Sequence, residues 1–587
     1  MSQRAPGKSS ANKDWLRALQ AVAAADADPA RILAVVFDAV ASRENERIAL
    51  IDARETLSFS DLNARANAYA RFARASGFDK GDAVALLMEN CADYIALWLG
   101  LTRVGVVVAL LNTSLPPAAL AHCLSVAGAR TLIASEKFAK AAADAAARSP
   151  GAIRVIASSD ALARVDTSPP TLQEARSATL DDRALLIYTS GTTGLPKAAV
   201  VSHRRLLTWA LWFSGLIDAS PQDRMYNCLP LHHSAGGVVA VWSALLGGAS
   251  VVLRERFSAS RFWEDVVAND CTLFQYIGEL CRYLVNAPEC AAEKAHRLRM
   301  CVGNGLRRDV WDAFQARFRA PRILEFYAAT ESNFSLYNVD GEAGAIGRVP
   351  AFLAHRFQMA LVAVDMNAEQ PLRDAEGRCR RCGVDEAGEA IARIALRAGD
   401  AGAAFDGYID RTASEAKILR DAFEPGDAWM RSGDLMRKDA RGYYYFVDRI
   451  GDTFRWKGEN VSTLEVAETL SACRGVLDAS VYGVCVPGNE GRAGMAALAV
   501  DAHFQLDEFA AHIADALAPY ARPLFLRLRS ALYITETFKH KKHALTQDGF
   551  DPRRVSEALY FLDAARNSYV PLDESLFLRI DSGAQKP

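Results

Sequence analysis

The sequence predicts an α/β protein with a smaller α+β unit at its C-terminal end. Three observations carry this reading. From about Ile48, strand-like and helix-like segments alternate, as parallel βαβ units require. Between Ala343 and Ala404 the chain changes to short segments rich in glycine and charge, the pattern of an antiparallel or barrel-like region. Past Asp448–Asp452 the pattern changes again, to a small α+β unit. At 587 residues the chain also exceeds what one hydrophobic core organises, so two or more domains are expected.

Residues 1–13 are polar and read as a disordered tail. Trp15–Ala25 is a weakly amphipathic helix whose basic face is thin, which favours core packing over membrane contact. Together they form a tail and N-terminal helical segment over residues 1–47. Ser60 is the expected cap of a helix carrying Leu62, Ala66, Tyr69 and Phe72 that stops near Gly77. A strand (Ala83–Met88), a helix (Ala92–Arg103) and a strand (Val106–Leu111) follow. The alanine-rich run Ala139–Ala147 reads as an exposed helix. Strand–helix alternation returns from Leu185 to about Leu324. Tyr443–Val447 is a strand before the boundary. After it, Ser462-Thr463-Leu464-Glu465 opens a helix with a capping-box pattern. The domains expected are therefore 48–448 and 449–587, with no internal repeat.

Apolar residues make up 51% of the chain, charged residues 24%, and the formal net charge is -2. Nothing in this balance asks for a nucleic-acid partner. No window approaches the roughly 20 uncharged apolar residues of a membrane span, and the N-terminus lacks a signal-peptide pattern. The 11 cysteines are scattered, several in apolar stretches such as Cys91, Cys228 and Cys485. That suits reduced, buried thiols in a cytoplasmic protein. Cys379 and Cys382 form a lone C-x-x-C with no further ligands nearby for a metal.

The chemistry-bearing stretch is Ile187-Tyr188-Thr189-Ser190-Gly191-Thr192-Thr193-Gly194-Leu195-Pro196-Lys197. A strand runs into a loop of glycines and hydroxyls that ends in a lysine. Such a loop can wrap a polyphosphate through backbone N–H groups, short hydroxyl donors and a positive charge. Composition alone fits a mobile surface loop equally well. Glu325-Phe326-Tyr327-Ala328-Ala329-Thr330-Glu331 places a ring, a hydroxyl and a hard carboxylate at a strand end, and such a carboxylate suits Mg²⁺. The glycines of Gly303-Asn304-Gly305-Leu306-Arg307 let a flat base approach the backbone. Ser432-Gly433-Asp434 offers a carboxylate able to accept two hydroxyl hydrogen bonds. In Pro230-Leu231-His232-His233-Ser234-Ala235-Gly236-Gly237, two adjacent histidines rarely reach one ion, so one imidazole reads as a pocket wall. Phe538-Lys539-His540-Lys541-Lys542-His543 is by composition a solvated basic run or a patch for an anionic membrane.

The order of residues in these stretches points further. Ile187–Lys197 closely resembles the signature phosphate loop of the adenylate-forming enzymes: acyl-CoA synthetases, luciferases and peptide-synthetase adenylation domains. Tyr327 to Glu331 resembles the Y-x-x-T-E segment of the same superfamily. The run from Asp448 to Thr463 looks like the long signature of the fatty acid transport protein family, the very-long-chain acyl-CoA synthetases. Phe274–Leu284, Gly303–Arg307 and the stretch from Thr537-Phe538-Lys539 to Gly549-Phe550-Asp551-Pro552 agree with it. The likeness runs from about Ile48 to about Gly583. Ser332 stands where a glycine is frequent, and Arg431-Ser432 where Asn-Thr is frequent.

This resemblance implies a large N-terminal domain of α/β subdomains with a barrel-like part, and a small mobile C-terminal α+β domain, the adenylate-forming fold. It implies a long-chain or very-long-chain fatty acid–CoA ligase that uses ATP, Mg²⁺ and CoA and passes through an acyl-adenylate. By resemblance Thr189, Ser190, Gly191, Thr192, Thr193, Gly194 and Lys197 cradle phosphates. Gly303, Asn304 and Gly305 flank adenine, Tyr327 packs on it, Thr330 contacts phosphate and Glu331 reaches Mg²⁺. Asp434 and Arg449 bind the nucleotide, and Lys539 serves adenylation. Gly451 is the hinge. Rotation about it exchanges Lys539 for the face carrying Arg455, Lys457 and Gly458, where CoA enters. Lys541 and Lys542 are surface or CoA-phosphate contacts. His233 and Gly237 line the acyl pocket, with Gly237 leaving an open acyl tunnel. Two alternatives stay open: uptake of fatty acid by vectorial acylation, with the protein peripheral on the inner face of a membrane, and an acyl-adenylate ligase that hands the acyl group to a carrier protein. Chain length and oligomeric state are not legible in the sequence.

Overall fold

The computed structural model describes the chain except residues 1–10, 24, 26–27, 164–177, 191–194, 321, 367, 397–402, 490, 533–541, 564–565 and 586–587; at 162, 163, 190 and 543 it describes the backbone alone. Gly191, Thr192, Thr193, Gly194 and Lys539 therefore lie outside the described residues. The chain divides into two units, Met1–Ala354 with Ile394–Ile418, and His355–Arg393 with Leu419–Pro587. The expected boundary at Asp448/Arg449 falls inside the second.

Two sheets organise the first unit. One has eight strands in the order Ser335–Asn338, Ile323–Ala328, Met300–Asn304, Leu273–Ile277, Arg224–Asn227, Ser250–Leu253, Ile48–Ile51, Thr56–Ser58. Its inner pairs are parallel and its two end pairs antiparallel. The other runs Arg154–Ala157, Thr131–Ala134, Ala83–Leu87, Val107–Leu110, Arg183–Ser190, Pro196–Ser202, parallel until the last antiparallel pair. The inner parallel strands are buried almost throughout, as strands covered on both faces must be. The helix Ala92–Arg103 falls where the sequence placed it. The next expectation needs correcting. Ser58, not Ser60, caps the helix Phe59–Ala75, because the strand Thr56–Ser58 ends there and Ser58 forms a reciprocal capping box with Asp61.

The N-terminal helix begins at Ala11, inside the segment read as a tail, and runs to Ala23. It packs on the helix His203–Leu216. Trp15 meets Trp212 and Tyr337 edge-on at 5.9 and 5.7 Å between ring centroids. Gly215 lets the two backbones close, since a Cβ there would lie 2.5 Å from Ala18 Cα. The alanine-rich helix Ala139–Arg148 is not wholly exposed: Ala142 and Ala145 are buried against the second sheet.

In the second unit, Tyr443–Arg449, Ala428–Lys438, Gly388–Arg393 and Met359–Val362 form an antiparallel sheet. A separate five-stranded sheet, Val476–Val484, Ala493–Val500, Phe525–Arg529, Ala558–Asp563, Ser568–Pro571, has its own core from Phe454 to Ile580. The helix Thr463–Ser471 is capped by Ser462, as its sequence predicted. All 11 cysteines are free; Cys91 and Cys228 are buried, but Cys485 is exposed, against expectation. Among the described residues no helix is long and apolar enough to cross a membrane.

Candidate active site

Thr189 and Lys197 are register partners on two adjacent antiparallel strands, one pair short of the last pair, Ser190 and Pro196. Residues 407–409 lie along the second of these strands: Val200 N–H donates to Gly407 O and Ile409 N–H to Ala198 O. They bring Tyr408 under Lys197, whose ammonium is 6.0 Å from the ring centroid. Asp406 accepts hydrogen bonds from Ser202 N–H and Oγ at 3.2 and 3.0 Å.

Ser202 caps the helix His203–Leu216 that follows these strands. Arg205, in its first turn, was not singled out in the sequence. Its guanidinium lies 4.6 Å from the Trp209 ring centroid, and Nη2 donates to the carbonyl of Ser332. Burial pushes this guanidinium down to about 10, against the pull of Asp406 and Glu331. The link matters because Ser332 follows Thr330 and Glu331 directly. Thr330 Oγ1 is 3.4 Å from Ser234 Oγ, which brings in the His232–His233 segment. The imidazoles of that pair sit 4.3 Å apart, His232 buried and His233 half-buried. Asn90 holds the same segment, donating to Leu229 O and accepting from Leu231 N–H. Tyr327 packs on Phe334, ring centroids 5.6 Å apart.

Gly237 lies in a π-helical stretch, Ala235–Trp242. A Cβ there would lie 2.3 Å from Leu231 O and 2.9 Å from the Trp98 ring. Close packing thus accounts for this glycine, and an open tunnel at its Cα does not.

The strand Met300–Asn304 ends with Gly303 and Asn304, and Gly305 follows it. Gly305 has φ +78°, and a Cβ at Gly303 would strike Tyr276 O at 2.3 Å. Beneath this turn the buried Glu325 accepts from Tyr276 Oη at 2.5 Å and from Leu306 N–H at 3.1 Å.

In the second unit Asp434 and Arg449 are register partners on adjacent strands, Oδ1 to Nε 3.5 Å. The Ser432-Gly433-Asp434 bend is held from below by Glu389, which accepts from Gly433 N–H at 3.0 Å and pairs with Arg431 at 2.8 Å. Arg431 thus has a structural partner of its own. Gly451 faces open space. Arg455, Lys457 and Gly458 share one short hairpin, whose turn has φ +51° at Lys457 and +87° at Gly458. Arg455 Nε closes it on Gly458 O at 3.0 Å. Lys542 corrects another expectation. Rather than a surface cation, it is half-buried and donates to Thr463 Oγ1 at 2.8 Å and Asp452 Oδ2 at 3.1 Å. Among the described residues no group of three or more His, Cys, Asp or Glu is placed to hold a metal.

The arrangement has known counterparts. The AMP-binding enzyme family matches residues 37–378. Long-chain fatty acid transport protein 1 of Mus musculus is 44% identical over 567 residues, covering 93% of this chain and 87% of that protein. The Homo sapiens protein of the same name is 44% identical over 566 residues, covering 94% and 87%. In fold, ATP-bound MatB from Rhodopseudomonas palustris superposes with a TM-score of 0.74 at 22% identity, over 88% of this chain and 98% of that one. The chain belongs to the AMP-binding enzyme family, among the long-chain fatty acid transport proteins.

Proposed function

We propose that the protein is a long-chain or very-long-chain fatty acid–CoA ligase that couples a carboxylate to AMP and then passes the acyl group to CoA. The observation that supports this best is Arg205. It ties the helix that follows the strands of Thr189 and Lys197 to the turn that carries Thr330 and Glu331. One guanidinium thereby sets the spacing between two elements that both serve a triphosphate. Holding the reacting groups in line and neutralising charge as they meet is most of what such a reaction asks of a protein.

Within this reading Thr189, Ser190, the Gly191–Gly194 stretch and Lys197 hold the phosphates, and Gly303, Asn304, Gly305 and Tyr327 hold adenine. Glu331 offers a hard, half-buried oxygen donor, which suits Mg²⁺, and would hold that ion with Thr330 beside it. Bound there, Mg²⁺ neutralises phosphate charge. Asp434 and Arg449 take the ribose side. Lys539 serves adenylation. Residues 449–587 then turn about Gly451, and the hairpin of Arg455, Lys457 and Gly458 meets CoA. His233 walls the acyl pocket. Free thiols suit a cytoplasmic location, with peripheral contact on the inner face of a membrane where fatty acid arrives.

The test is thioester formation by purified Lys539→Ala from two starting points. From fatty acid, ATP and CoA it should fall by about 10²–10³, the usual cost of removing one positioned charge. From synthetic acyl-adenylate and CoA it should persist. Wild type that releases no pyrophosphate with any long-chain acid sinks the reading; equal loss on both routes in a folded variant sinks the two-pose mechanism.

A further inference from the structure

A carboxyl group buried in the middle of a sheet is costly, and Glu325 is 1% exposed. It stands on the strand Ile323–Ala328, two residues before Tyr327. Gly303, on the neighbouring strand, is the register partner of both Glu325 and Tyr276. All three share one face of the sheet. Because Gly303 has no side chain, the Tyr276 ring lies over it; a Cβ there would sit 2.5 Å from that ring. The Tyr276 hydroxyl thus reaches across an entire strand to donate to Glu325 Oε2 at 2.5 Å.

The other carboxyl oxygen faces the turn after Gly303. It accepts from Leu306 N–H at 3.1 Å, and Gly305 N–H also points at the carboxyl. From the far side the turn is pressed by Gly278, where a Cβ would lie 1.8 Å from Gly305 O. The turn is therefore held between a glycine that admits it and a carboxyl that satisfies its inward N–H groups. Burial pushes the Glu325 carboxyl up to about 8, against the hydrogen bonds from Tyr276, Leu306 and Gly305. A primary amide keeps the shape of this group and an oxygen that can accept from Leu306 N–H.

We propose that Glu325 is a positioning residue for the adenine ring of ATP: anchored by Tyr276, it fixes the height and tilt of the Gly303–Leu306 turn without touching the nucleotide. The proposal rests on reading that turn as the adenine side of the ligase site. It separates Glu325 from an ordinary core residue, because its loss should be felt by ATP and not by the acyl substrate.

The experiment measures ATP binding by calorimetry, and KM for ATP and for fatty acid, in wild type, Glu325→Gln, Glu325→Leu and Tyr276→Phe. The Leu variant should weaken ATP binding and raise KM for ATP about tenfold or more, the effect of two unpaired N–H groups in the turn. The Gln variant should stay within about threefold of wild type, and the Phe variant, which keeps the core, should lie between them at about threefold to fivefold. KM for fatty acid should not change in any of them. ATP binding unchanged in folded Tyr276→Phe or Glu325→Leu overturns the proposal, as does a parallel rise in both KM values. Should the Leu variant not fold, the Phe variant decides alone. Wild type that binds ATP but forms no adenylate overturns the ligase reading and leaves the binding comparison intact; wild type that binds no ATP overturns both.

Discussion

Lys542 Nζ lies 3.1 Å from Asp452 Oδ2, in the turn that follows the strand Tyr443–Arg449. The same ammonium donates to Thr463 Oγ1, the first residue of the next helix. Asp448, on the other side of the turn, is buried and accepts from Thr463 N–H and Oγ1. Burial raises the Asp448 carboxyl and the Lys542 charge opposes that. One lysine therefore braces both ends of the segment that contains Gly451. Lys542→Met should speed amide exchange across residues 449–454 by about tenfold or more, while Lys542→Arg restores protection. KM for CoA should not change in the Met variant. A large rise in that KM with unchanged exchange would return Lys542 to the role of a CoA-phosphate contact.

Gly237 shows what packing demands of a π-helical stretch. A single methyl group would overlap the Leu231 carbonyl, which belongs to the backbone and cannot swing away. Overpacking of this kind costs roughly 1–3 kcal/mol. Gly237→Ala should lower the denaturation midpoint and shift activity with all chain lengths alike. An unchanged midpoint together with a cut-off that discards only long acyl chains would put Gly237 on the acyl path after all.

What could be read from the sequence was what is local. The helix Ala92–Arg103 announces itself by composition and by the chain around it. Ser58 and Ser60 are both plausible caps by residue type, and only the pairing of Thr56–Ser58 with Ile48–Ile51 selects the first. The motifs around Thr189, Tyr327 and Asp434 are contiguous and so are legible in the sequence. Their supports are not. Arg205 meets Ser332 across 127 residues, Tyr276 meets Glu325 across 49, and Lys542 meets Asp452 across 90. Glu325 opens the contiguous stretch to Glu331, yet its contact with Tyr276 depends on the absent side chain of Gly303 one strand away. The direct pairing of Asp434 with Arg449 follows from register, which no spacing rule supplies.

Asp14 ties the N-terminal helix to the candidate site. Its carboxylate is fully buried and pairs with Arg17 at 2.5 Å and with Arg322, the residue just before the strand that carries Tyr327. Arg17 in turn donates to Gly215 O on the helix His203–Leu216. Removing the central carboxylate leaves two guanidinium groups facing each other, and breaking a buried pair costs roughly 3–5 kcal/mol. Because both arginines keep some exposure, the lower end of that range is expected for Asp14→Ala, with a melting point several degrees lower. A melting point equal to wild type would mean that the N-terminal helix is not part of the folded unit.

His203 sets an acid limit on stability. It is 1% exposed, at the first position of the helix His203–Leu216, and among the described residues neither ring nitrogen has a hydrogen-bond partner. Burial lowers it to about 4, with Asp182 pulling upward and Lys80 downward. The native state therefore holds a neutral imidazole where the unfolded chain, near 6.5, takes up a proton. Between those two values the unfolded state binds more protons than the native state, so stability rises with pH. The contribution is complete above about 6.5 and is lost progressively as pH falls toward 4, a total on the order of 3 kcal/mol. His203→Leu removes the titration. Urea midpoints measured from about pH 7 down to about pH 4 should fall less steeply in the Leu variant than in wild type. The comparison is one of slopes, so a uniform loss of stability from repacking does not disturb it. Parallel curves for the two proteins would show that His203 takes up its proton in the native state, and that the imidazole has a partner or water access that its burial conceals.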